Sequence, residues 1–212
     1  MKAYYKEIKF IIPTKKKETV IDCISEAAYF DPHADENGYY NIKTSYIAYA
    51  KNESQTFKYR FRQYSQKIKP ETIYFEVKMK NRNLVRKERR LIDKIPQSIP
   101  SLGSYMQQIS FDKKYLAEPV YLSDICIVYN RQAFIVGEAI PYRITFDHDI
   151  KMAGTLDTLL HNDYCIMEIK GNTIHKKLAE TLQVNGIIAQ AVSKFQLAYH
   201  KHKYHSIVKM EL

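Results

Sequence analysis

Tryptophan is absent from this chain of 212 residues, and glycine (6), proline (7) and cysteine (3) are all scarce. So little glycine and proline excludes a chain dominated by low-complexity loops. With 45% hydrophobic residues, it favours a strand-rich fold built as a single domain around one substantial core. Cys23, Cys126 and Cys165 form no CxxC or other metal spacing, which excludes a thiolate metal site. Their odd number, without a signal peptide, suits a reducing compartment, and they are expected to be inert, strand-buried thiols. No apolar run reaches the roughly 18 residues that span a bilayer, so the chain is expected to be soluble and cytoplasmic. Acidic residues are also in deficit: 33 Lys and Arg stand against 23 Asp and Glu, a formal charge of +10. The preferred partner is therefore an anion, though charge alone leaves nucleic acid, phospholipid and phosphorylated small molecules open.

What is present is a repeated ionic alternation. Glu7-Ile8-Lys9, Glu76-Val77-Lys78 and Glu168-Ile169-Lys170 read Glu-x-Lys, and Arg60-Phe61-Arg62 reads Arg-x-Arg. On a β-strand, side chains alternate faces with period two, so each segment has one ionic and one apolar face. For a single strand that is a solvated sheet. In Arg60-Phe61-Arg62, Glu76 to Lys80 and Val85 to Arg89 it puts many cations and few anions on adjacent strands, where like charges repel. Such an arrangement needs a polyanion.

Strands are predicted at about 2–12, 39–50, 56–64, 72–81, 84–93, 124–136, 141–150 and 163–170. Helices are predicted at about 14–29, with Thr14 as cap, and at 101–112, 176–189 and 193–205. A hairpin is placed at Asn81-Arg82-Asn83, and Pro96 to Pro100 breaks the sheet. The segment Asp31 to Gly38 is a loop whose glycine and acids do not match an EF-hand. The fold class is α+β: about eight antiparallel strands that can close into a barrel with a charged lumen, with flanking helices.

Lys9, Arg60, Arg62, Lys78, Lys80, Lys87, Arg89, Arg131 and Arg143 would form a ring of cations, with Lys80 and Arg89 towards its mouths. Arginine forks and lysine point charges suit a chain of phosphates. The embedded carboxylates Glu7, Glu76 and Glu168 make sense as ligands or neighbours of a divalent ion such as Mg²⁺, which completes its shell with phosphate oxygens and water. The alternative for Glu168 is charge balance against Lys170. Asp147 shares a face with Arg143 and is expected to pair with it. His200, His202 and His205, interleaved with lysines, read as a solvated basic helix face and not as a metal site.

Taken as a set and in order, Glu7-Ile8-Lys9, Asp31 to Gly38, Tyr59 to Arg62, Phe75 to Lys78, Val85 to Arg89, Tyr129 to Phe134, Tyr142 to Asp147, Met167 to Lys170 and Ser193-Lys194-Phe195 resemble the polyphosphate polymerase domain of the vacuolar transporter chaperone (VTC) family, among the triphosphate tunnel metalloenzymes that include the CYTH group. The resemblance covers nearly the whole chain. It implies a closed antiparallel tunnel and transfer of the ATP γ-phosphate onto a polyphosphate chain. It implies phosphate binding by Lys9, Arg60, Arg62, Lys78, Lys87, Arg131, Arg143 and Lys194, with Tyr129 near the nucleotide beside Arg60, Arg62, Arg131 and Arg143. It implies Mn²⁺ or Mg²⁺ on Glu168, and the chain departs from the family at Ser45 to Ala50, where an aromatic-Asp-Thr stretch is usual.

Three functions are consistent with these residues: a polyphosphate polymerase using ATP; a hydrolase of inorganic tri- or polyphosphate or of nucleoside triphosphates, with Glu7 or Glu76 orienting water; and a non-catalytic polyanion binder. Nucleic acid is disfavoured, because the charge follows strand alternation and not a surface stripe. No residue pattern specifies a membrane-protein partner.

Overall fold

A computed structural model describes residues 5–51, 54–65, 71–82, 84–99, 101–117, 120–138, 141–155, 157–171 and 174–210, with side chains in the last helix as far as His202. Ten strands are present among them: β1 (Tyr5–Pro13), β2 (Ala28–Phe30), β3 (Tyr39–Lys51), β4 (Gln55–Ser65), β5 (Thr72–Asn81), β6 (Leu84–Ile92), β7 (Val120–Leu122), β8 (Cys126–Val136), β9 (Tyr142–Met152) and β10 (Tyr164–Lys170). The α-helices are α1 (Lys17–Ile24), α2 (Leu102–Gln108), α3 (Lys176–Val184) and α4 (Lys194–Met210).

Eight strands close into an antiparallel barrel in the order β1-β6-β5-β4-β3-β8-β9-β10, with β10 returning to β1. Closure comes from β3, which pairs with β4 along one edge and with β8 from Tyr39 to Ser45 along the other. Two short strands extend its edges, β2 on β8 and β7 on β3. The β1–β6 joint is narrow among the described residues, made by Tyr5 opposite Val85 and Lys6 opposite Leu84. Past it the chain before α4 runs beside β1, where Gln190 N–H donates to the Lys9 carbonyl at 2.8 Å.

The helices decide which face of each strand is inside. Ile12, Phe10, Met167, Ile169, Ile144 and Phe146 pack outward under Val20 and Ile24 of α1 and Leu178 and Leu182 of α3. Phe57, Tyr59, Phe61, Phe75, Val77 and Met79 pack outward under Leu102, Tyr105 and Met106 of α2. With the apolar faces covered from outside, period-two alternation leaves the ionic faces to the lumen. A third cluster, including Ile127, Ile150, Ile166, Phe195 and Ala198, fills one part of the interior and seats α4.

Several predicted elements are shortened for local reasons. The helix predicted over 14–29 is a 3₁₀ turn at Thr14–Lys16, then α1, then a 3₁₀ turn at Ser25–Ala27, because Ala28–Phe30 pairs with β8 instead of continuing the helix. Thr14 is not a cap; its hydroxyl donates to the Asn162 carbonyl at 3.1 Å. Ser101 caps α2, and Ser110, at φ 53°, turns the chain so that it ends early. The helix predicted over 176–189 ends at Val184 in a Schellman closure, with Ile187 N–H on the Leu182 carbonyl and Gly186 at φ 62°. The last helix runs on to Met210. Cys23 lies on α1, not a strand, and of the three thiols Cys165 alone is fully buried. Arg82 turns the β5–β6 hairpin at φ 51°; Asn83 and Pro100, predicted as turn and breaker, lie outside the described residues. No described helix is long and apolar enough to cross a membrane.

Candidate anion-binding tunnel

The register sets three lysines abreast on three neighbouring strands. Lys58 of β4 is opposite Lys78 of β5, which is opposite Lys87 of β6. One step along, Arg60 is opposite Glu76, which is opposite Arg89. Like charges directly opposed on a sheet destabilise it, and here the row is fixed by the ladder. Arg60 and Arg62 are buried, 5% and 7% exposed, so they are not a surface stripe.

Carboxylates hold these cations apart. Glu76 is wholly buried; its Oε2 accepts from Arg60 Nη2 at 2.8 Å and Nε at 3.1 Å and lies 3.6 Å from Arg62, while Oε1 is 3.2 Å from Lys87. Burial pushes this carboxyl up, but Arg62, Lys87 and Arg60 outweigh it and hold it well below the usual range. Glu7 takes Lys78 Nζ at 2.7 and 2.9 Å and lies 3.3 Å from Lys9. Glu168 takes Lys170 at 2.8 Å, and burial is again outweighed, by Lys170, Lys9, Lys78 and Arg131.

Three lysines are held below their usual value by burial and by neighbouring cations. Burial, with Lys78 and Lys9 nearby, lowers Lys58 to about 8. Burial and Lys9 likewise lower Lys78 to about 8, and burial and Arg131 lower Lys170 to about 7. The same field acts on a phenol: against the effect of burial, Arg60, Lys58 and Arg62 bring Tyr46 down to about 7, and Arg60 Nη1 donates to its oxygen at 3.3 Å.

On the opposite wall Asp147, fully buried on β9, receives Arg131 Nε at 2.6 Å and Nη2 at 2.8 Å as a bidentate pair, and also Lys194 from the first turn of α4. This corrects the expected Asp147–Arg143 pair. The two share a face, but four residues of strand separate them by about 13 Å. Arg143 instead binds Asp31 Oδ2 at 2.8 Å and the Tyr40 hydroxyl. Asp31 arrives on the loop that Asp35 ties together through the N–H groups of Asn37 and Tyr39. Gly38 is obligatory in that loop: at φ 81°, a Cβ would meet the Phe30 ring at 2.4 Å. Tyr129 is buried beneath two cations, Lys194 at 4.8 Å and Arg131 at 5.5 Å from its ring centre.

The structure thus brings Lys9, Arg60, Arg62, Lys78, Lys87, Arg131, Arg143, Lys194, Tyr129, Glu7, Glu76 and Glu168 to one interior. Lys80 is exposed, and Arg89, also exposed, stacks on Tyr74 at 4.4 Å. Lys58, Lys170, Asp31 and Tyr46 also belong to the site; the sequence names Lys170 only as the counter-charge of Glu168, which the 2.8 Å pair bears out, and does not single out Lys58, Asp31 or Tyr46 as site residues. Lys58 follows from Arg60 and Arg62 by one more step of the same alternation. Asp31 lies on a loop and has no period to reveal it, and the sequence shows it only within the family-like segment Asp31 to Gly38. His200 is exposed and His202 lies 3.5 Å from Asp124, as befits a solvated face; the His205 side chain is outside the described residues. Among the described residues no three His, Cys, Asp or Glu side chains form a metal-binding group.

Glu7 and Glu168, each held by lysines, are the two carboxylates that could share a hard cation with a ligand. They lie diagonally across the β1–β10 ladder; burial and Glu168 push the Glu7 carboxyl up, but Lys78, Lys9 and Lys170 outweigh them and hold it below its usual value. Directly opposite Glu168 on β9 is Thr145, whose buried hydroxyl has no hydrogen-bond partner in the described structure. Two carboxylates and a spare hydroxyl are a donor set that Mg²⁺ or Mn²⁺ can use when phosphate oxygens complete the shell. Glu76, surrounded by two guanidiniums and an ammonium, is instead the counter-ion of the cation row.

The sequence profile of the VTC domain matches residues 4–203. No similar curated protein was found.

Proposed function

The chain belongs to the VTC domain family, a phosphate-related family known from polyphosphate synthesis, and on that premise we propose that it is a metal-dependent polyphosphate polymerase that transfers the γ-phosphate of ATP onto a polyphosphate chain inside the barrel. The observation that carries this reading is the lysine row Lys58–Lys78–Lys87 beside the buried Arg60 and Arg62. Among the described residues, ten cationic side chains reach the interior (Lys9, Lys58, Arg60, Arg62, Lys78, Lys87, Arg131, Arg143, Lys170 and Lys194) and five carboxylates compensate them (Glu7, Asp31, Glu76, Asp147 and Glu168). A linear polyanion supplies the missing charge.

The chemistry is an in-line displacement. A terminal oxygen of the acceptor chain forms a bond to the γ-phosphorus, the bond from that phosphorus to the β–γ bridging oxygen breaks, and ADP leaves with the electron pair. The acceptor is already an anion, so no protein nucleophile is required, and catalysis consists of alignment and charge neutralisation. Arg60 and Arg62, oriented by Glu76, grip the phosphates on one wall, and Arg131, oriented by Asp147, on the other. Lys194 reaches the same phosphates from α4. Glu168 and Glu7 would hold the divalent ion, with Thr145 opposite; when bound, that ion neutralises charge on the transferring phosphoryl group.

The hydrolase reading uses the same tunnel and differs in its acceptor, a water in place of the terminal phosphate of a chain, so the products distinguish the two. Incubating the purified protein with ATP and Mn²⁺ and separating the products by gel or phosphorus NMR tests the proposal. Long phosphate chains are expected. Release of free phosphate alone would replace the polymerase with a hydrolase.

A further inference from the structure

Five aromatic rings run in contact from the tunnel to the surface. Tyr46, under the Arg60 guanidinium, lies 4.8 Å from Phe195. Phe195, with Lys58 Nζ 4.6 Å over its ring, lies 5.4 Å from Tyr49. Tyr49 stacks on Tyr121 at 5.1 Å and 22°, its cross-strand partner on β7, and Phe195 stacks on Tyr199 at 6.0 Å and 22°. The inner end of this ladder is buried among cations, whereas at the outer end Tyr121 is 48% and Tyr199 38% exposed. The register explains the continuity: the β-bulge between Tyr46 and Ala48 turns Ala48 and Ala50 to the outer core and swings Tyr49 to the α4 side.

A ligand fitting both ends has phosphates at one end and a flat π-system at the other. We propose that Tyr121 and Tyr199, backed by Tyr49, are the stacking platform for the base of a nucleoside triphosphate whose phosphates lie along Lys58 and Arg60. This rests on the polyanion-tunnel reading and extends it to nucleotide selection. Aromatic stacking tolerates any base because each has a π-face. The platform therefore favours nucleotides over inorganic triphosphate without choosing adenine over guanine.

Calorimetry with a non-hydrolysable ATP analogue and with inorganic triphosphate, on wild type, Tyr121→Ala, Tyr199→Ala and Tyr121→Phe, tests the proposal, with thermal unfolding run on the same samples. In the two alanine variants the ATP analogue should bind about 5- to 150-fold more weakly, the scale of one lost stacking contact. Inorganic triphosphate should bind unchanged, and Tyr121→Phe, which keeps the ring, should behave as wild type. Unchanged affinity for the analogue in both alanine variants would overturn the platform, as would equal weakening of both ligands. Should neither ligand bind the folded wild-type protein, it is the tunnel reading that fails.

Discussion

Glu7 of β1 stands directly across the ladder from Lys170 of β10, and two residues on, Lys9 faces Glu168. Two Glu-x-Lys segments running antiparallel form a checkerboard in which every charge has an opposite neighbour, across the ladder and along its own strand. On β4, β5 and β6 the same kind of alternation gives the reverse result, because Lys58, Lys78 and Lys87 fall in one row. The β1–β10 wall thus alternates in sign, whereas the β4–β6 wall takes Glu7 for Lys78 and Glu76 for Lys87 and still waits for an anion at Lys58. That asymmetry sets where a polyphosphate would bind most strongly.

Lys58 reports on the waiting wall most directly. Among the described residues it makes no ion pair; its ammonium donates to Ser193 Oγ at 3.0 Å and sits over Phe195. Lys58→Met keeps the apolar stem and removes a buried, uncompensated cation. Urea unfolding should find the free protein at least as stable as wild type, while calorimetry finds triphosphate binding weaker by about 1 to 3 kcal/mol, the scale of a charge-assisted contact. A loss of stability with unchanged affinity would remove Lys58 from the phosphate path.

The depressed lysines give pH dependences of opposite sign for binding and for stability. Lys170 at about 7 and Lys58 and Lys78 at about 8 lie below the unfolded value near 10.4. Between about pH 7 and 10 the unfolded chain therefore binds more protons, and these residues make the free protein more stable as pH rises. A polyanion prefers the charged lysines, so triphosphate affinity should fall over the same window and binding near pH 8 should take up protons. Titrations in two buffers of different ionisation enthalpy measure that uptake; a proton balance of zero would count against these lysines as ligands.

Asp147 is expected to be the costliest single charge to remove. It holds Arg131 in a bidentate grip and Lys194 on α4, and these cations carry its carboxyl far below the usual range despite complete burial. Asp147→Asn strands two buried cations, a loss of about 3 to 5 kcal/mol in denaturant unfolding. Excess triphosphate should recover part of it by pairing with the freed cations. A cost below about 1 kcal/mol would mean that the pair is not formed in solution.

Period-two alternation makes the barrel and most of its lining legible, since it needs no knowledge of the partner strand. Arg60, Arg62, Glu76 and Lys78 each follow from one neighbour on each side. Pairing is less accessible. The strand pattern points Asp147 to Arg143 because both lie on one face, whereas its partners come from β8 and α4, across the ladder and across the barrel. Helix ends fail for a related reason: Ala28–Phe30 keeps helical spacing in sequence but gains a strand partner in β8. Register and long-range partners are properties of the assembled barrel, and a single strand's pattern does not contain them.

Glu168 separates charge balance from metal binding. It is 4% exposed, bound to Lys170 and opposite the unpartnered Thr145 hydroxyl. Glu168→Gln preserves shape but removes the charge that a hard cation requires. If Glu168 holds the divalent ion, turnover with ATP and Mn²⁺ should vanish while triphosphate still binds, since Arg60, Arg62 and Arg131 are untouched. If Glu168 only offsets Lys170, neutralising it leaves the tunnel more positive. Triphosphate would then bind more tightly and Mn²⁺-dependent turnover would persist. Turnover and calorimetry on the one variant distinguish the two roles, and retained Mn²⁺-dependent activity would leave Glu7, already joined to Lys78 and Lys9, as the remaining carboxylate of the pair to test by the same substitution.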